Sequence, residues 1–282
     1  MLRKTVCELR DVTYVYPGEA AGDSPPVRPA LDRVSLSIRE GEWVALLGNN
    51  GSGKSTLAKH LNALLLPTQG DCFVYGMSTR RSEDLFSIRS SVAMVFQNPE
   101  NQIVGTVVEE DAAFGPENQG ISPLEIRRRV DNALDAVGLL EKRKKPVYTL
   151  SGGEKQRLAV AGALAMDTPC LVLDEATAML DPQGRADLHA VLETLHKQGK
   201  TIISITHRLE EITPCDRAIV LLDGSVAWDG TIADLFLSNS SFRTWGLDIP
   251  PLVSLWADLR TRPDMKMPPL PSLNEMAEAL CP

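Results

Sequence analysis

The sequence predicts an α/β domain built on a mainly parallel β-sheet. Three observations support this. Apolar, β-branched runs alternate with amphipathic helical patterns along the 282 residues. The run at 43–47 is almost entirely apolar, as expected for a strand that is buried on both faces. A glycine-rich turn then leads directly from this run into a helical pattern, which is the strand–turn–helix order of such domains.

Short alternating or apolar runs predict the strands of the N-terminal half. They lie at residues 5–16, 31–38, 43–47, 72–75 and 91–97. The first of these is expected to be an edge strand or a hairpin arm. Residues 18–30 are rich in glycine, proline, alanine and serine and predict an exposed loop. The helix after the glycine-rich turn is expected to end near Leu66 and Pro67.

A helical insertion is predicted between Gln97 and the strand that begins near residue 170, with helical pattern from about 105 to 165. Within it, Ser122 to Glu125 reads as a capping box with proline at the first helical position. Gly138 is expected to end that helix.

Strands return at 170–173, 201–206 and 218–222, and a helix is predicted from Pro182 to about Gln198. Past about 240 the pattern changes to short helices separated by prolines, with apolar stripes at 252–259 and 273–280. The C-terminal part is therefore expected to differ from the α/β domain.

Composition excludes several classes of protein. The chain is 43% hydrophobic and 23% charged with a formal net charge of −8, which argues against a nucleic-acid partner. Five scattered cysteines without metal-ligand spacing indicate a reducing, cytosolic compartment. The N-terminus carries no signal-peptide pattern, and no apolar run reaches the roughly 18 residues of a membrane helix. A role at a membrane would therefore require a partner.

The glycine-rich turn has the spacing of a phosphate-binding loop, G-x-x-x-x-G-K-S. Its backbone amides and the start of the next helix can bind phosphate oxygens, the lysine can reach the β- and γ-phosphates, and the serine after it can hold Mg²⁺. A glycine-rich turn that binds nothing is disfavoured by the lysine, the hydroxyl and the strand–helix context. The predicted nucleotide-binding residues are Gly48, Asn49, Asn50, Gly51, Ser52, Gly53, Lys54, Ser55 and Thr56.

Two further stretches carry chemistry. The apolar run Leu171–Leu173 ends in two carboxylates, Asp174 and Glu175. Since ligands bind beyond the carboxyl ends of parallel strands, Asp174 is predicted to share Mg²⁺ with Ser55, and Glu175 to polarise the attacking water. Such a pair alone also occurs as a helix cap. The second stretch, Ser151–Gly153, opens a helix and predicts another anion site, whose purpose the sequence pattern leaves open.

Taken with Thr206-His207, these motifs resemble the ATP-binding-cassette family of ATPases over roughly residues 5–230. The resemblance implies a P-loop NTPase core with an antiparallel edge β-subdomain and an inserted helical subdomain at about 98–165. It implies a cassette at 1–240 and a short helical extension at 241–282 that contributes to dimerisation.

The resemblance also implies roles for single residues. Two cassettes would dimerise head to tail, so that Ser151, Gly152 and Gly153 of one chain complete the ATP site of the other. Tyr16 would stack on the adenine, and Gln97 would contact Mg²⁺ and water. Lys54, Glu175 and His207 would be catalytic, with His207 in contact with the γ-phosphate. Asp181 would lie at the dimer interface.

Residues 62–67, 96–111 and 114–118 narrow the resemblance to the ATPase subunits of energy-coupling factor transporters. This implies ATP hydrolysis that powers prokaryotic uptake of vitamins or transition-metal ions. The implied partners are a second, non-identical cassette, a transmembrane coupling subunit whose amphipathic helices dock near Gln97, and a small membrane protein that captures the substrate. The chain would then lie peripherally on the cytoplasmic side of the cell membrane.

Three alternatives remain at this stage. The ATPase of an ordinary importer or exporter would have a different membrane partner, and residues 98–118 argue against it. A soluble cassette protein of DNA repair or translation would carry two cassettes or a long coiled coil. A nucleotide-binding regulator without turnover would not need Glu175.

Overall fold

The computed structural model describes residues 3–17, 28–237 and 242–247, with the side chains of Leu237 and Arg243 excepted. Most of the loop predicted at 18–30 and both C-terminal apolar stripes lie outside the described residues. The proposed division at residue 240 therefore stays a prediction.

The described residues form ten strands and eight α-helices. The strands are β1 (Thr5–Tyr14), β2 (Leu31–Arg39), β3 (Trp43–Leu47), β4 (Gln69–Val74), β5 (Met77–Ser78), β6 (Val92–Val95), β7 (Cys170–Asp174), β8 (Thr201–Ile205), β9 (Arg217–Leu222) and β10 (Ser225–Thr231). The helices are α1 (Lys54–Leu61), α2 (Leu85–Ser91), α3 (Val108–Asn118), α4 (Pro123–Ala136), α5 (Gly152–Ala165), α6 (Pro182–Lys197), α7 (Ile232–Leu237) and α8 (Phe242–Trp245).

The strands form two sheets, and their topology confirms the predicted α/β class. The core sheet has the order β10-β9-β3-β8-β7-β6, in which only the edge pair β10–β9 is antiparallel. The second sheet, β2-β1-β4-β5, is antiparallel throughout. Helices α3, α4 and α5 pack on one another and form the inserted helical layer.

Strand order brings the motifs to one edge of the core sheet. Strands β3, β8 and β7 are neighbours and run parallel, so their carboxyl ends lie side by side. The glycine-rich loop follows β3, Glu175 follows β7, and Thr206 follows β8. Segments that are more than 100 residues apart in sequence are therefore adjacent in space.

Side-chain alternation along β3 separates two apolar clusters, one on each face of the core sheet. Trp43, Ala45 and Leu47 belong to the cluster that includes the helical layer. Val44 and Leu46 belong to the cluster beneath the antiparallel sheet and α1. All five side chains are buried, and each large one contributes about 1.5–3 kcal/mol to folding. The strand is thus fixed from both sides, which holds the loop that follows it.

Helix α1 ends at Leu61, earlier than the expected end near Leu66. Ala63 adopts a left-handed conformation with φ of 54°, and the Leu64 amide donates to the Lys59 carbonyl at 2.9 Å. The Ala63 amide donates to His60 at 3.2 Å, so the two bonds form a Schellman motif. The sequence does not show this end, because alanine stands where glycine is usual.

The expected capping box at Ser122 forms only in part. The Ser122 hydroxyl accepts the Glu125 amide at 3.4 Å and caps α4 as predicted. The Glu125 carboxylate instead bonds Arg128 and Arg129, and these guanidinium groups lower its pKa to about 2. Gly138, with φ of 69°, closes the turn after α4.

No helix in the described ranges combines the length and the apolar character needed to span a lipid bilayer.

Candidate functional site

A cleft of about 430 Å³ lies beyond the carboxyl ends of β3, β6 and β7. Ten residues line it, and six of them belong to the predicted glycine-rich loop and the start of α1. The lining residues are Tyr16, Ala30, Asn50, Gly51, Gly53, Lys54, Ser55, Thr56, Gln97 and Glu175. The structure thus brings most of the predicted nucleotide-binding residues to one cavity.

The backbone of the loop needs glycine at defined positions. Gly48, Gly51 and Gly53 have φ values of 137°, 80° and 102°. A Cβ atom at Gly48 would collide with the carbonyl oxygen of Leu221, and one at Gly53 with that of Ala30. The loop is therefore wedged between β9 and the start of β2 in a conformation that side chains larger than hydrogen do not allow.

Helix α1 starts without a side-chain cap. Its N-cap residue is Gly53, and no side chain accepts a hydrogen bond from the first-turn amides. Since an uncapped helix start presents free N–H groups and positive potential, it is suited to binding an anion.

Lys54 lies on the inner side of the loop. Its Nζ donates to the carbonyl oxygens of Gly48 at 2.8 Å and Asn49 at 2.7 Å. Burial lowers the pKa of the ammonium, while the charges of Glu175 and Asp174 act in the opposite direction. A cation is thus held at the centre of the loop, close to two carboxylates.

Ser55, which lines the cleft, donates a hydrogen bond to the buried carboxylate of Asp174. Burial raises the pKa of Asp174, although the hydrogen bond from Ser55 opposes this. A hydroxyl and a carboxylate oxygen are ligands that Mg²⁺ accepts, and a desolvated carboxylate is stabilised by a nearby cation. These two residues fit a magnesium site.

The Glu175 side chain, just after β7, lies close to residues of the loops that follow β6 and β8. Its Oε2 accepts a hydrogen bond from Gln97 Nε2 at 2.9 Å, and its Oε1 lies 3.6 Å from His207 Nδ1. Its backbone has φ of 48°, and its amide donates to the carbonyl of Ile205 at 3.0 Å. The residue leaves β7 in a left-handed conformation, which turns its carboxylate into the cleft.

One further residue connects these loops, and the sequence analysis missed it. Glu211 Oε2 accepts hydrogen bonds from Thr177 at 3.0 Å and from Thr206 at 2.9 Å. It therefore joins the segment after Glu175 to the segment before His207. In sequence, Glu210-Glu211 reads as an exposed acidic pair. The only signal is that apolar residues flank it on both sides, at Leu209 and Ile212.

Tyr16 lies two residues beyond β1, at the mouth of the cleft. Its hydroxyl lies 3.0 Å from Thr56 Oγ1, and its ring packs edge-on against Tyr14 with centroids 4.9 Å apart. The ring position is fixed by these two contacts while part of its surface remains exposed to the cleft.

Ser151, Gly152 and Gly153 do not line this cleft. Ser151 caps α5, and with Glu154 it forms a complete capping box, at 3.3 Å and 2.8 Å. Lys142 also bonds Glu154, and together these donors lower the pKa of the carboxylate to about 2. A Cβ atom at Gly153 would lie 3.2 Å from the Met179 carbonyl. Within the described residues, the anion site predicted at Ser151–Gly153 is thus separate from the cleft at the glycine-rich loop.

Asp181 is also outside the cleft. It is exposed and caps α6 by accepting the Gly184 amide at 2.9 Å. The geometry alone therefore gives one site that can bind a polyphosphate and direct a carboxylate at water, and one separate exposed helix start.

Comparison with known proteins identifies the family of the chain. The ABC transporter family matches residues 31–178, which is more than half of the chain. The energy-coupling factor transporter ATP-binding protein EcfA1 of Symbiobacterium thermophilum is 52% identical over 271 residues, covering 96% of this chain and 94% of its own.

Two solved structures have similar folds. CbiO1 of Clostridium perfringens, described as part of the ABC transporter complex CbiONQ, has a TM-score of 0.72 and 33% identity, over 89% of this chain and 98% of its own. The cassette MJ0796, described as a dimer in a post-hydrolysis state bound to ADP and phosphate, has a TM-score of 0.73 and 30% identity, over 80% and 98%.

Proposed function

The chain belongs to the ATP-binding-cassette ATPases, as one of the energy-coupling factor transporter ATP-binding proteins, and from this premise we propose how its residues use ATP. The observation that carries the proposal is that Lys54, Gln97 and Glu175 line one cleft of about 430 Å³, with His207 Nδ1 3.6 Å from the Glu175 carboxylate. The class to which the chain belongs binds and hydrolyses ATP.

The loop amides and Lys54 bind the phosphates and stabilise the charge that develops on them. Glu175 accepts the proton of the attacking water, and Gln97 and His207 hold its carboxylate in place from either side. A positioned general base of this kind contributes roughly 10²–10⁴-fold in rate. Tyr16 supplies the face on which the base of the nucleotide stacks.

Mg²⁺ is the proposed metal, held by Ser55 and Asp174 with Gln97 nearby. When bound, it neutralises charge on the β- and γ-phosphates. The protein supplies hard oxygen ligands for it, and the buried Asp174 carboxylate is the group whose charge the metal stabilises.

We further propose that the complete site forms between two chains. Ser151, Gly152 and Gly153 lie away from the cleft of their own chain and are accessible at the start of α5. In a head-to-tail pair with a second, non-identical cassette they reach the phosphates bound by the partner. Asp181 then lies at the interface, and the C-terminal extension contributes to it.

A groove of about 620 Å³, lined in part by residues 100–107 that follow Gln97 in sequence, is the proposed docking site of the membrane-spanning partner. Ile103, Val107 and Tyr148 give it apolar walls, and the Glu100–Lys155 ion pair closes one side at 2.7 Å. The Tyr148 side chain is 82% exposed. One side of the groove is formed by residues 100–107, which follow Gln97, and the other by residues 146–148, which lead into α5. An amphipathic helix seated here would therefore contact the segments next to Gln97 and next to Ser151.

In the proposed complex the chain is peripheral, on the cytoplasmic face of a prokaryotic membrane. A transmembrane coupling subunit occupies the groove, and a small membrane protein captures the substrate. The transported compound is a vitamin or a transition-metal ion.

The test is affinity purification of the full chain from detergent-solubilised membranes, with ATPase activity assayed in the eluate. We expect recovery of a second cassette, one transmembrane subunit and small membrane proteins. Tyr148→Ala should lower recovery of the transmembrane subunit about tenfold, since exposed aromatic anchors dominate interfaces. Phe86→Ala, at a side chain that is 65% exposed elsewhere, is the matched control and should leave recovery unchanged.

Recovery of a dedicated permease pair would overturn the energy-coupling assignment and favour an ordinary importer or exporter. Equal recovery with Tyr148→Ala and the control would overturn the docking site only.

A further inference from the structure

The Asn49 side chain of the nucleotide loop contacts the described C-terminal segment, residues 242–247. Its amide faces the carbonyl oxygens of Trp245 and Gly246, so the nitrogen is the atom that points to them. In this orientation the nitrogen donates to Gly246 at 3.0 Å and also to Trp245. A side chain of the loop thus binds the carbonyl end of α8.

The end of α8 is shaped for this contact. Gly246 has φ of 62°, and the Leu247 amide donates to the Phe242 carbonyl at 3.0 Å, which closes the last turn. A Cβ atom at Gly246 would collide with the Asn49 amide. Glycine is therefore required here both for its backbone conformation and for the close approach of Asn49.

The segment 242–247 is anchored on the body of the domain. Phe242 and Trp245 are 0% and 6% exposed. Phe242 stacks on Phe236 with centroids 6.3 Å apart, and Trp245 packs against Phe242 at 5.8 Å and Trp228 at 6.4 Å. This aromatic cluster fixes the position of the carbonyl groups that Asn49 binds.

The same residue also contacts the lysine of the loop. The Asn49 backbone carbonyl accepts a hydrogen bond from Lys54 Nζ at 2.7 Å. Through its side chain and its backbone, Asn49 therefore links the C-terminal segment to the cation at the centre of the loop. Any movement of Asn49 on nucleotide binding would be transmitted to both.

We propose that Asn49 is a positioning residue that ties the nucleotide loop to the aromatic segment 242–247. The inference rests on the proposed nucleotide-binding role of residues 48–56. It goes beyond that role because it makes loop geometry depend on the chain that leads into the C-terminal extension. By thermodynamic reciprocity, nucleotide binding then changes the stability of the contact between Asn49 and the segment by the same free energy by which that contact changes nucleotide affinity.

The test compares MgADP affinity, measured by calorimetry on the full chain, between the wild type and four variants. Asn49→Ala should weaken binding about three- to tenfold, the effect of one or two hydrogen bonds on loop order. Phe242→Ala should weaken it similarly by releasing the segment. The double variant should be no weaker than Asn49→Ala alone, because both changes break one connection. The control Thr244→Ala changes an exposed side chain of the same helix and should bind as tightly as the wild type.

Wild-type affinity in Asn49→Ala, or losses that multiply in the double variant, would overturn the proposal. Tryptophan emission gives a second test that does not depend on the folding of Phe242→Ala. Saturating MgADP should shift the emission of the wild type, and the shift should be absent from Trp245→Phe and from Asn49→Ala. The same shift in Asn49→Ala as in the wild type would also overturn it.

Lys54→Ala separates this inference from the proposed function. If Lys54→Ala binds MgADP as tightly as the wild type, the assignment of the loop as a phosphate site is wrong, and the role of Asn49 falls with it. If Lys54→Ala loses binding while Asn49→Ala keeps it, only the positioning role is wrong.

Discussion

Two helices of this protein, α1 and α5, begin with similar glycine-containing sequences but differ in how their first turns are satisfied. The N-cap residue of α1 is Gly53, with φ of 102° and no side-chain cap, and the first residue of the helix is Lys54. The N-cap residue of α5 is Ser151, which forms a reciprocal capping box with Glu154. One helix start is open and cationic, whereas the other is closed by its own side chains and carries an acid in its first turn.

The difference explains why only one of them forms a cleft within the chain. The free amides of an open start can be satisfied by a ligand, and the segments after the neighbouring strands β7 and β8 carry the proposed catalytic groups, Glu175 and His207. A capped start is stable without a ligand, so it can remain exposed until a second chain is brought to it. A glycine-rich helix start is therefore not by itself evidence of a binding cleft within the same chain.

The largest effect is expected from Glu175→Gln, which tests the cleft at the uncapped start of α1. Hydrolysis by the assembled complex should fall at least about 10²-fold, because an amide cannot accept the proton of water. MgADP binding should change by less than about twofold, since the phosphates are bound by the loop. Phosphate release and calorimetry measure the two quantities.

Glu210→Gln is the matched control for this substitution, because Glu210 is an exposed acid on the neighbouring loop. It should leave hydrolysis unchanged. Retention of more than about a tenth of the hydrolysis in Glu175→Gln would contradict the role of Glu175 as general base.

The capped site is tested by comparing Ser151→Ala with Ser122→Ala. Both serines cap a helix through the same kind of bond, at 3.3 Å and 3.4 Å, so each loss should lower the free energy of unfolding by about 1 kcal/mol. Only Ser151→Ala should reduce hydrolysis, by about tenfold, because only that hydroxyl is proposed to contact ATP in the partner chain. Thermal unfolding and ATPase assays of the assembled complex measure the two effects.

The proposal of completion in trans requires that the two serine variants differ in hydrolysis. Equal losses of hydrolysis would mean that α5 contributes only its stability.

The sequence was sufficient to predict the core sheet and the open site, because their causes are local. Trp43–Leu47 is apolar throughout, and the carboxyl ends of parallel strands lie at one edge of a sheet, so Asp174 at the end of β7 was expected near Ser55. A short-range pattern combined with one topological rule thus gives the location of the site.

The features that could not be predicted depend on conformation or on distant contacts. Ala63 and Glu175 adopt left-handed backbone conformations. Because neither residue is a glycine, the sequence gives no sign of these conformations. The competition of Arg128 for Glu125 left a predicted capping box half formed. The contact of Asn49 with Gly246 joins residues almost 200 positions apart, and no periodicity encodes such a pair.

The smallest effect on stability is expected from Glu154, the acid of the capping box at the start of α5. The pH dependence of this effect shows whether the charge or the shape of the side chain is responsible. The pKa of Glu154 is lowered to about 2 by Lys142 and by the Ser151 amide, against a usual value near 4.5. A lowered pKa stabilises the folded chain above the unfolded-state value, and this stabilisation is lost as pH falls from about 4.5 towards 2. Glu154→Gln should therefore lower the free energy of unfolding by about 1 kcal/mol at neutral pH, and by much less near pH 3.

Chemical denaturation of the wild type and Glu154→Gln across this pH range measures the difference. Glu141→Gln, at an exposed side chain, is the control and should show little loss. A difference that stays constant with pH would show that the shape of the side chain, rather than its charge, closes the start of α5.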